Sequence, residues 1–293
     1  MNSGINPALL DLAKAQFELA GWLCRPGCRA YHAAWGFLRA AKLVGGIDAD
    51  RAQVSQWLSP LVQMPGQRVL IAACADSAQV ALVRELAGGN APAITVVDRC
   101  ATPLAVCASV LPRPTGALSV HQSDLLDFKP QAAFDVIICH SLFPFLKEAE
   151  RRSLLRLFST WLAPRGRLVL VARVDMAPAH PVARERSRIR GNAGDWTAMK
   201  AERAIAVLDP IPQLQGMDKR ALFAAVTGLY RFLADNPTPY ASSDQLMREC
   251  VESGFAILQS SRGDLRQGYP HSRYANGSLG SVILEAAPDE RPA

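Results

Sequence analysis

A histidine, two aspartates and a turn without glycines are the residues of this chain whose types and spacing could do chemistry. Arg68 to Gln79 read RVLIAACADSAQ, an apolar run leading straight into a helix-forming segment. About twenty residues on, a second apolar run, ITVVD, closes at Asp98. Strand, tight turn, helix, strand and terminal acid make up a nucleotide-binding βαβ unit. The glycines that usually let the backbone approach a pyrophosphate are replaced by Ala73, Ala75 and Ala78, with Cys74 and Asp76 between them. A pyrophosphate is therefore the wrong ligand for this turn. A ligand with ribose hydroxyls but no phosphate against the turn fits better. Asp98 is placed to hold such hydroxyls; a helix cap or turn acid is the other reading. His140 directly follows the apolar run FDVIIC and could take a proton near neutral pH. A strand-end histidine that merely bonds backbone is its alternative. Ser141 alone is too weak an acid–base group.

The elements that must position these residues follow from periodicity. Residues 1–64 read as helices. Asn6-Pro7 is a cap followed by a proline at the first helical position. Leu9, Leu10, Ala13, Phe17 and Ala20 recur at helical spacing. Arg25-Pro26-Gly27 is expected to break the chain, with a second helix from about Arg29 to Val44 and a third starting near Asp48. Apolar runs then recur at Val69–Ala73, Ile94–Val97, Leu118–Val120, Phe134–Cys139 and Leu168–Val174, with helical patterns between them at Asp76–Leu86, Pro103–Val110 and Lys147–Leu162. This alternation predicts an α/β chain with a parallel sheet covered on both faces. Pro164-Arg165-Gly166 reads as a tight turn into the fifth strand. Residues 176–238 carry helical patterns and proline breaks and read as an inserted helical cap. Ser242 and Gln245 have capping-box spacing before a helix that Gly254 ends. Phe255–Gln259 and Ser281–Ala286 supply two more strands, and residues 288–293 read as a disordered tail.

The chain has 293 residues, 49% hydrophobic and 20% charged, enough for a large buried core. No apolar stretch reaches membrane-spanning length and no signal peptide is visible, so a cytoplasmic protein away from membranes is expected. The net charge of +6 includes the arginine run ARERSRIR, Ala183 to Arg190. It reads as a solvated helix face or a contact for an anionic substrate or carrier. No aromatic-studded basic motif points to nucleic acid. The seven cysteines are odd in number and scattered. Cys24 and Cys28, four apart, are expected on one helical face, and with no CxxC pair the thiols read as reduced and packed, with no metal site. The spacings show no Ser-His-Asp set and no paired carboxylates, and the missing phosphate loop argues against a kinase or ATPase.

Six segments in this order resemble the class I S-adenosylmethionine (SAM)-dependent methyltransferases over residues 65–287, with a degenerate first motif. They are RVLIAACAD, ITVVD, HQSDLLDF, FDVIICHSLFPFL, LAPRGRLVLVARV and SSDQLMRECVESGFAIL. The resemblance implies a seven-stranded Rossmann-like sheet of order 3-2-1-4-5-7-6, assembled from residues 65–175 and 239–287. It implies SAM as cofactor, with Ala73, Cys74 and Ala75 under the methionine moiety and Asp98 and Arg99 at the ribose. Asp124 would meet the adenine amine, and Leu125 its ring. Where the family has an acid at the end of strand one, this chain has Ala72 or Ala73, leaving Asp76 to anchor the methionine amine or simply to cap the next helix. Alanine tolerates positive φ poorly, so the turn is expected to differ from the family's.

The activity implied is methyl transfer to a small-molecule acceptor, in the setting of bacterial secondary metabolism. His140 would be the base, and Tyr31, His140, Tyr230 and Arg273 would contact substrate. Tyr31 and His32, on the N-terminal helices, are second-rank candidates for the base, and Tyr230, Tyr240, Tyr269, His271, Arg273 and Tyr274 are rim candidates from the cap and the last loop. A homo-oligomer is compatible with this reading. The alternative is a methyltransferase-fold protein that no longer methylates, serving in binding, as a scaffold or in other chemistry. An NAD-dependent oxidoreductase is disfavoured by the missing glycines.

Overall fold

The computed structural model describes residues 7–109, 117–175, 193–235, 239–263 and 279–288. Strands β1 (Arg68–Ala72), β2 (Ala93–Asp98), β3 (Leu118–Gln122), β4 (Phe134–His140), β5 (Leu162–Asp175), β6 (Phe255–Gly263) and β7 (Leu279–Pro288) form one sheet of order β3-β2-β1-β4-β5-β7-β6. Pairings are parallel from β3 to β5, while β7 runs antiparallel to both β5 and β6. The alternating apolar runs predicted the parallel part of this sheet, and the order, with β7 antiparallel, is the one the family resemblance implied.

Alternate residues of each central strand feed opposite layers, because successive side chains point to opposite faces. Leu70, Ile137, Leu168 and Leu170 pack on α6 (Glu148–Trp161) and α9 (Ser243–Glu252) through Leu154, Phe158 and Leu246. Val69, Ile71, Val136, Ile138 and Val169 pack on α3 (Arg51–Val62), α4 (Ala78–Ala87) and α5 (Ala101–Ser109). With both faces covered, only strand ends remain for chemistry. The N-terminus of α9 carries the expected cap: Gln245 N–H donates to Ser242 Oγ at 3.2 Å, and Ala241 N–H to Gln245 Oε1 at 3.0 Å. The Pro164-Arg165-Gly166 turn lies inside β5 as a bulge, since Phe134 pairs with Leu162 but Val136 with Arg167. A Cβ on Gly166 would sit 2.9 Å from the Ala163 carbonyl, which is why the bulge needs glycine.

The N-terminal helices divide between two layers. α3 joins the sheet layer, whereas α1 (Pro7–Leu23) and α2 (Pro26–Ala40) build a separate helical core with α7 (Ala193–Leu208) and α8 (Lys219–Asp235). The chain breaks between Leu23 and Pro26 as expected, but α2 starts at Pro26 rather than near Arg29; at the first helical position the missing N–H of proline costs nothing. Cys24 therefore lies in the joint between α1 and α2, not on one helical face with Cys28. Asn6, the ARERSRIR run and the tail from residue 289 lie outside the described residues.

α2 and α8 approach closely because Gly228 faces Ala30: a Cβ on Gly228 would lie 2.5 Å from Ala30 Cβ. Gly228→Ala should lower the unfolding free energy by about 1–3 kcal/mol, the usual cost of forcing carbon into a packed contact. An unchanged urea midpoint would show that the two helices do not meet this closely.

Candidate functional site

The carboxyl ends of β1, β2 and β4 open into a cavity of about 230 Å³, roofed by α2 and α8. The turn after β1 supplies Ala73, Cys74, Ala75 and Asp76; β2 ends in Asp98; β4 ends in His140, with Ser141 just beyond it. On α2, Cys28, His32, Trp35 and Arg39 fall at spacings of four, three and four residues, which puts them on the one face that meets the cavity, with Tyr31 beside them. Phe232 and Leu233 of α8 and Phe145 close the far side. Phe232 stacks on Phe145 at 5.7 Å and meets Tyr31 at 5.1 Å, so this wall is aromatic.

The turn after β1 adopts a left-handed residue without glycine. Ala73 has φ of +66°, and Ser141 after β4 has φ of +58°. The turn thus accepts strain at alanine rather than avoiding positive φ. Its carbonyls are held from within: Gln79 Nε2 donates to Ala73 O at 3.1 Å and Gln16 Nε2 to Ala75 O at 2.8 Å. Asp76 is fully engaged. Its Oδ1 accepts from Ala78 N–H at 2.8 Å, while its Oδ2 accepts from Trp35 Nε1 at 3.0 Å and Arg39 Nη1 at 3.2 Å. It ties α4 to α2. Arg39 also bonds Asp48 at 2.7 Å.

Asp98 bridges two turns. Its Oδ2 accepts from Cys74 N–H at 3.0 Å and its Oδ1 from Cys100 N–H at 2.7 Å. Burial pushes its pKa up, and these two bonds oppose the rise. Each oxygen keeps a lone pair beyond its backbone bond. Two other polar atoms at the cavity, Ser141 Oγ and Gln79 Oε1, are buried with no hydrogen-bond partner among the described residues. Such atoms are costly to leave unmet and suit a polar ligand.

His140 does not bond backbone through Nε2. That nitrogen lies 3.0 Å from Asp50 Oδ2, which also accepts from Arg173 Nη1 at 2.9 Å. Burial lowers the His140 pKa; Arg173 lowers it further and Asp50 opposes both. The imidazole is therefore neutral at pH 7.

Other expected residues lie elsewhere. Arg99 is 76% exposed and pairs with Asp124 at 3.4 Å; Asp124 takes the Leu126 N–H in its own turn, and neither lines the cavity. Leu125 packs in the sheet core. Tyr230, expected at the rim, is 2% exposed inside the helical core, because α8 turns its apolar face to α2. Tyr240 is buried against Arg151 and donates to Glu249 at 2.8 Å. Tyr269, His271, Arg273 and Tyr274 lie outside the described residues. Asp50, Arg173, Trp35 and Arg39 were not anticipated. An arginine inside the apolar run LVLVARV was the available signal, since buried charge demands a partner.

No family model matches the sequence, and no curated protein matches it. The fold is that of the class I SAM-dependent methyltransferases, seen by comparison with solved structures. The chain is similar to magnesium protoporphyrin IX methyltransferase from Synechocystis PCC 6803 with bound SAH: 14% identity over 88% of this chain and 95% of that one, TM-score 0.52. It is also similar to the cyclopropane synthase MmaA2 of Mycobacterium tuberculosis, at 11% identity over 97% and 99%, TM-score 0.53. A third likeness is the [4+2]-cyclase SpnF, at 16% identity over 96% and 94%, TM-score 0.52. Among the described residues no helix is long and apolar enough to cross a membrane.

A left-handed alanine costs roughly 1–2 kcal/mol that glycine does not incur. Ala73→Gly should therefore raise stability by about 1 kcal/mol, part of the relief being lost to the freer unfolded chain. A denaturant midpoint that falls would place Ala73 outside the left-handed region.

Proposed function

We propose that this chain is a SAM-dependent methyltransferase acting on a small acceptor with an apolar, aromatic-compatible body. The single observation behind this reading is the cavity at the methyltransferase switch point, with Asp98 on one wall and His140 on another. Asp98 would hold the ribose hydroxyls with the lone pairs its backbone bonds leave over. Ser141 Oγ and Gln79 Oε1, buried without partners, suit the ligand's other polar atoms. When bound, the cofactor supplies an electrophilic methyl group on sulfur, so the protein mainly aligns the acceptor. The clustered rings of Tyr31, Phe145 and Phe232 would align its body and exclude water. Helices α2 and α8 would act as the cap that encloses it, with α7 packed in the helical core beside them, which favours a small molecule, a secondary metabolite among them.

His140 is placed as the base for an acceptor that must lose a proton. Asp50 fixes the ring through Nε2, which leaves Nδ1 as the proton-accepting atom. Because its pKa is held below the usual value of about 6.5, the ring is competent at neutral pH. For stability the sign is the same. Below about pH 6.5 the unfolded chain takes up a proton that the folded chain resists, so stability falls as pH falls through that value and is unaffected above it.

A second reading has its own support. Asp76 and the Ala73 and Ala75 carbonyls are already satisfied within the chain, so no carboxylate at the end of β1 remains for a methionine amine. A fold of this type that binds or performs other chemistry in the same pocket accounts for that. Calorimetry with SAM and its demethylated product separates the two: micromolar binding supports the methyltransferase, and no heat supports the alternative.

Two variants test the residues. Asp98→Ala should weaken SAM at least about tenfold while the far-ultraviolet spectrum is kept, since it leaves ribose hydroxyls unpaired; unchanged affinity would remove Asp98 from the cofactor site. His140→Ala should lower turnover roughly a hundredfold with SAM affinity nearly intact. The acid limb of wild-type turnover should lie below about pH 6.5. A small effect on turnover would make the histidine structural, and a large loss of SAM affinity would assign it to the cofactor.

A further inference from the structure

Beside the cavity, and independent of what fills it, the fold gathers three thiols and an imidazole from distant parts of the chain. Cys24 comes from the α1–α2 joint, Cys28 and His32 from successive turns of α2, and Cys100 from the loop between β2 and α5. Cys24 Sγ lies 3.4 Å from Cys100 Sγ and 3.4 Å from His32 Nδ1, and Cys28 Sγ lies 3.8 Å from Cys100 Sγ. All four donor atoms fall within 4.8 Å of one another.

These separations are those of ligands around one tetrahedral ion. With Zn–S near 2.3 Å and Zn–N near 2.0–2.1 Å, tetrahedral neighbours sit about 3.5–3.8 Å apart. An iron–sulfur cluster spreads its protein ligands over two or more irons and would hold donors on different irons farther apart than these are. A Cys24–Cys100 disulfide would need the sulfurs at about 2.05 Å and would leave Cys28 and His32 without a purpose at the same point. Burial also fits a built site: Cys24, His32 and Cys100 are each less than a tenth exposed, while Cys28 is half-buried at the cavity and gives the ion a way in. Thr102 Oγ1, 3.0 Å from Cys24 Sγ, is a hydroxyl able to donate to a thiolate there.

We propose that Cys24, Cys28, His32 and Cys100 bind one zinc ion. Soft thiolates with an imidazole in tetrahedral array select zinc over magnesium or calcium. Binding releases the three thiol protons to solvent and leaves three thiolates and a neutral imidazole on the dication, a site of net charge −1. Four protein ligands close the coordination sphere, so the ion is structural rather than a Lewis acid for substrate. It joins the α1–α2 joint to the loop that carries Asp98, whose Oδ1 takes the Cys100 N–H. It would thus pin the helical roof to the cavity's acidic wall, a departure from the absence of any metal site expected from the cysteine spacing.

The full chain, expressed with zinc and purified without chelator, should contain close to one zinc per molecule by mass spectrometry of the metal. Replacement by Co2+ should give the thiolate-to-cobalt charge-transfer band and the intense visible bands of a tetrahedral site. Cys28→Ser, at the least buried ligand, should keep the native circular dichroism, weaken zinc at least about tenfold and diminish the charge-transfer band. Removal of zinc should expose the α1–α2 joint to protease before the sheet. Absence of zinc together with a featureless cobalt spectrum would overturn the proposal. So would an intact-mass loss of two hydrogens from a Cys24–Cys100 disulfide, or a Cys28→Ser protein that binds cobalt with an unchanged spectrum.

Discussion

The carboxylate of Asp50 is the interaction on which the front of this protein depends. Asp50 stands at the cap position of α3, where an aspartate would ordinarily bond backbone N–H groups, yet it makes no such bond. It turns instead to Arg173 and His140, with its side chain 1% exposed and that of Arg173 3%. A buried guanidinium in an apolar strand, here near the end of β5, is tolerable only with a paired, desolvated anion, and removing one partner of such a pair costs on the order of 3–5 kcal/mol. The loop Gly45 to Asp50 must therefore lie across the ends of β4 and β5, and Arg173 Nη2 secures it again at the Gly45 carbonyl, 3.3 Å away. Because α2 runs directly into that loop, the roof of the cavity is registered to the sheet by charge rather than by apolar packing alone.

The turn after β1 follows from the same arrangement. In a glycine-rich turn the bare backbone faces the ligand, and the chain relies on the ligand to satisfy it. Here the roof does part of that work: Gln16 of α1 bonds Ala75 O, and Trp35 and Arg39 of α2 hold Asp76. The turn is thus preorganised from above, and its alanine at positive φ persists because neighbours over-determine it. What remains open to a ligand is concentrated at Asp98, Ser141 and Gln79, toward β2 and β4 rather than over the turn itself.

This division explains which parts were readable from the sequence. The strands themselves, the cap at Ser242 and the placement of Asp98 and His140 at strand ends were legible because each is set by local periodicity, whereas the strand order came from the resemblance of six segments to a family with that sheet. The break before Pro26 is real, but the start of α2 lies earlier than Arg29 because proline both ends and begins helices. The Asp50–Arg173 pair spans 123 residues and the Cys24–Cys100 contact 76, so spacing along the chain carries no trace of either. Tyr230 and Tyr240 were misplaced for the opposite reason: an aromatic hydroxyl looks suited to a rim, yet its ring area favours burial wherever the hydroxyl is tolerated.

The two networks together suggest why a chain with so altered a first motif keeps the fold so regular. The sheet needs nothing from the cavity; its faces are filled by Leu70, Ile137 and Leu170 on one side and Val69, Ile71 and Val136 on the other. Stability lives in these layers, so the residues at strand ends are free to change their partners. In this chain they have exchanged ligand-facing backbone for contacts to α1 and α2. The consequence is mutual dependence: the roof holds the turn, and the turn, through Asp76, holds the roof.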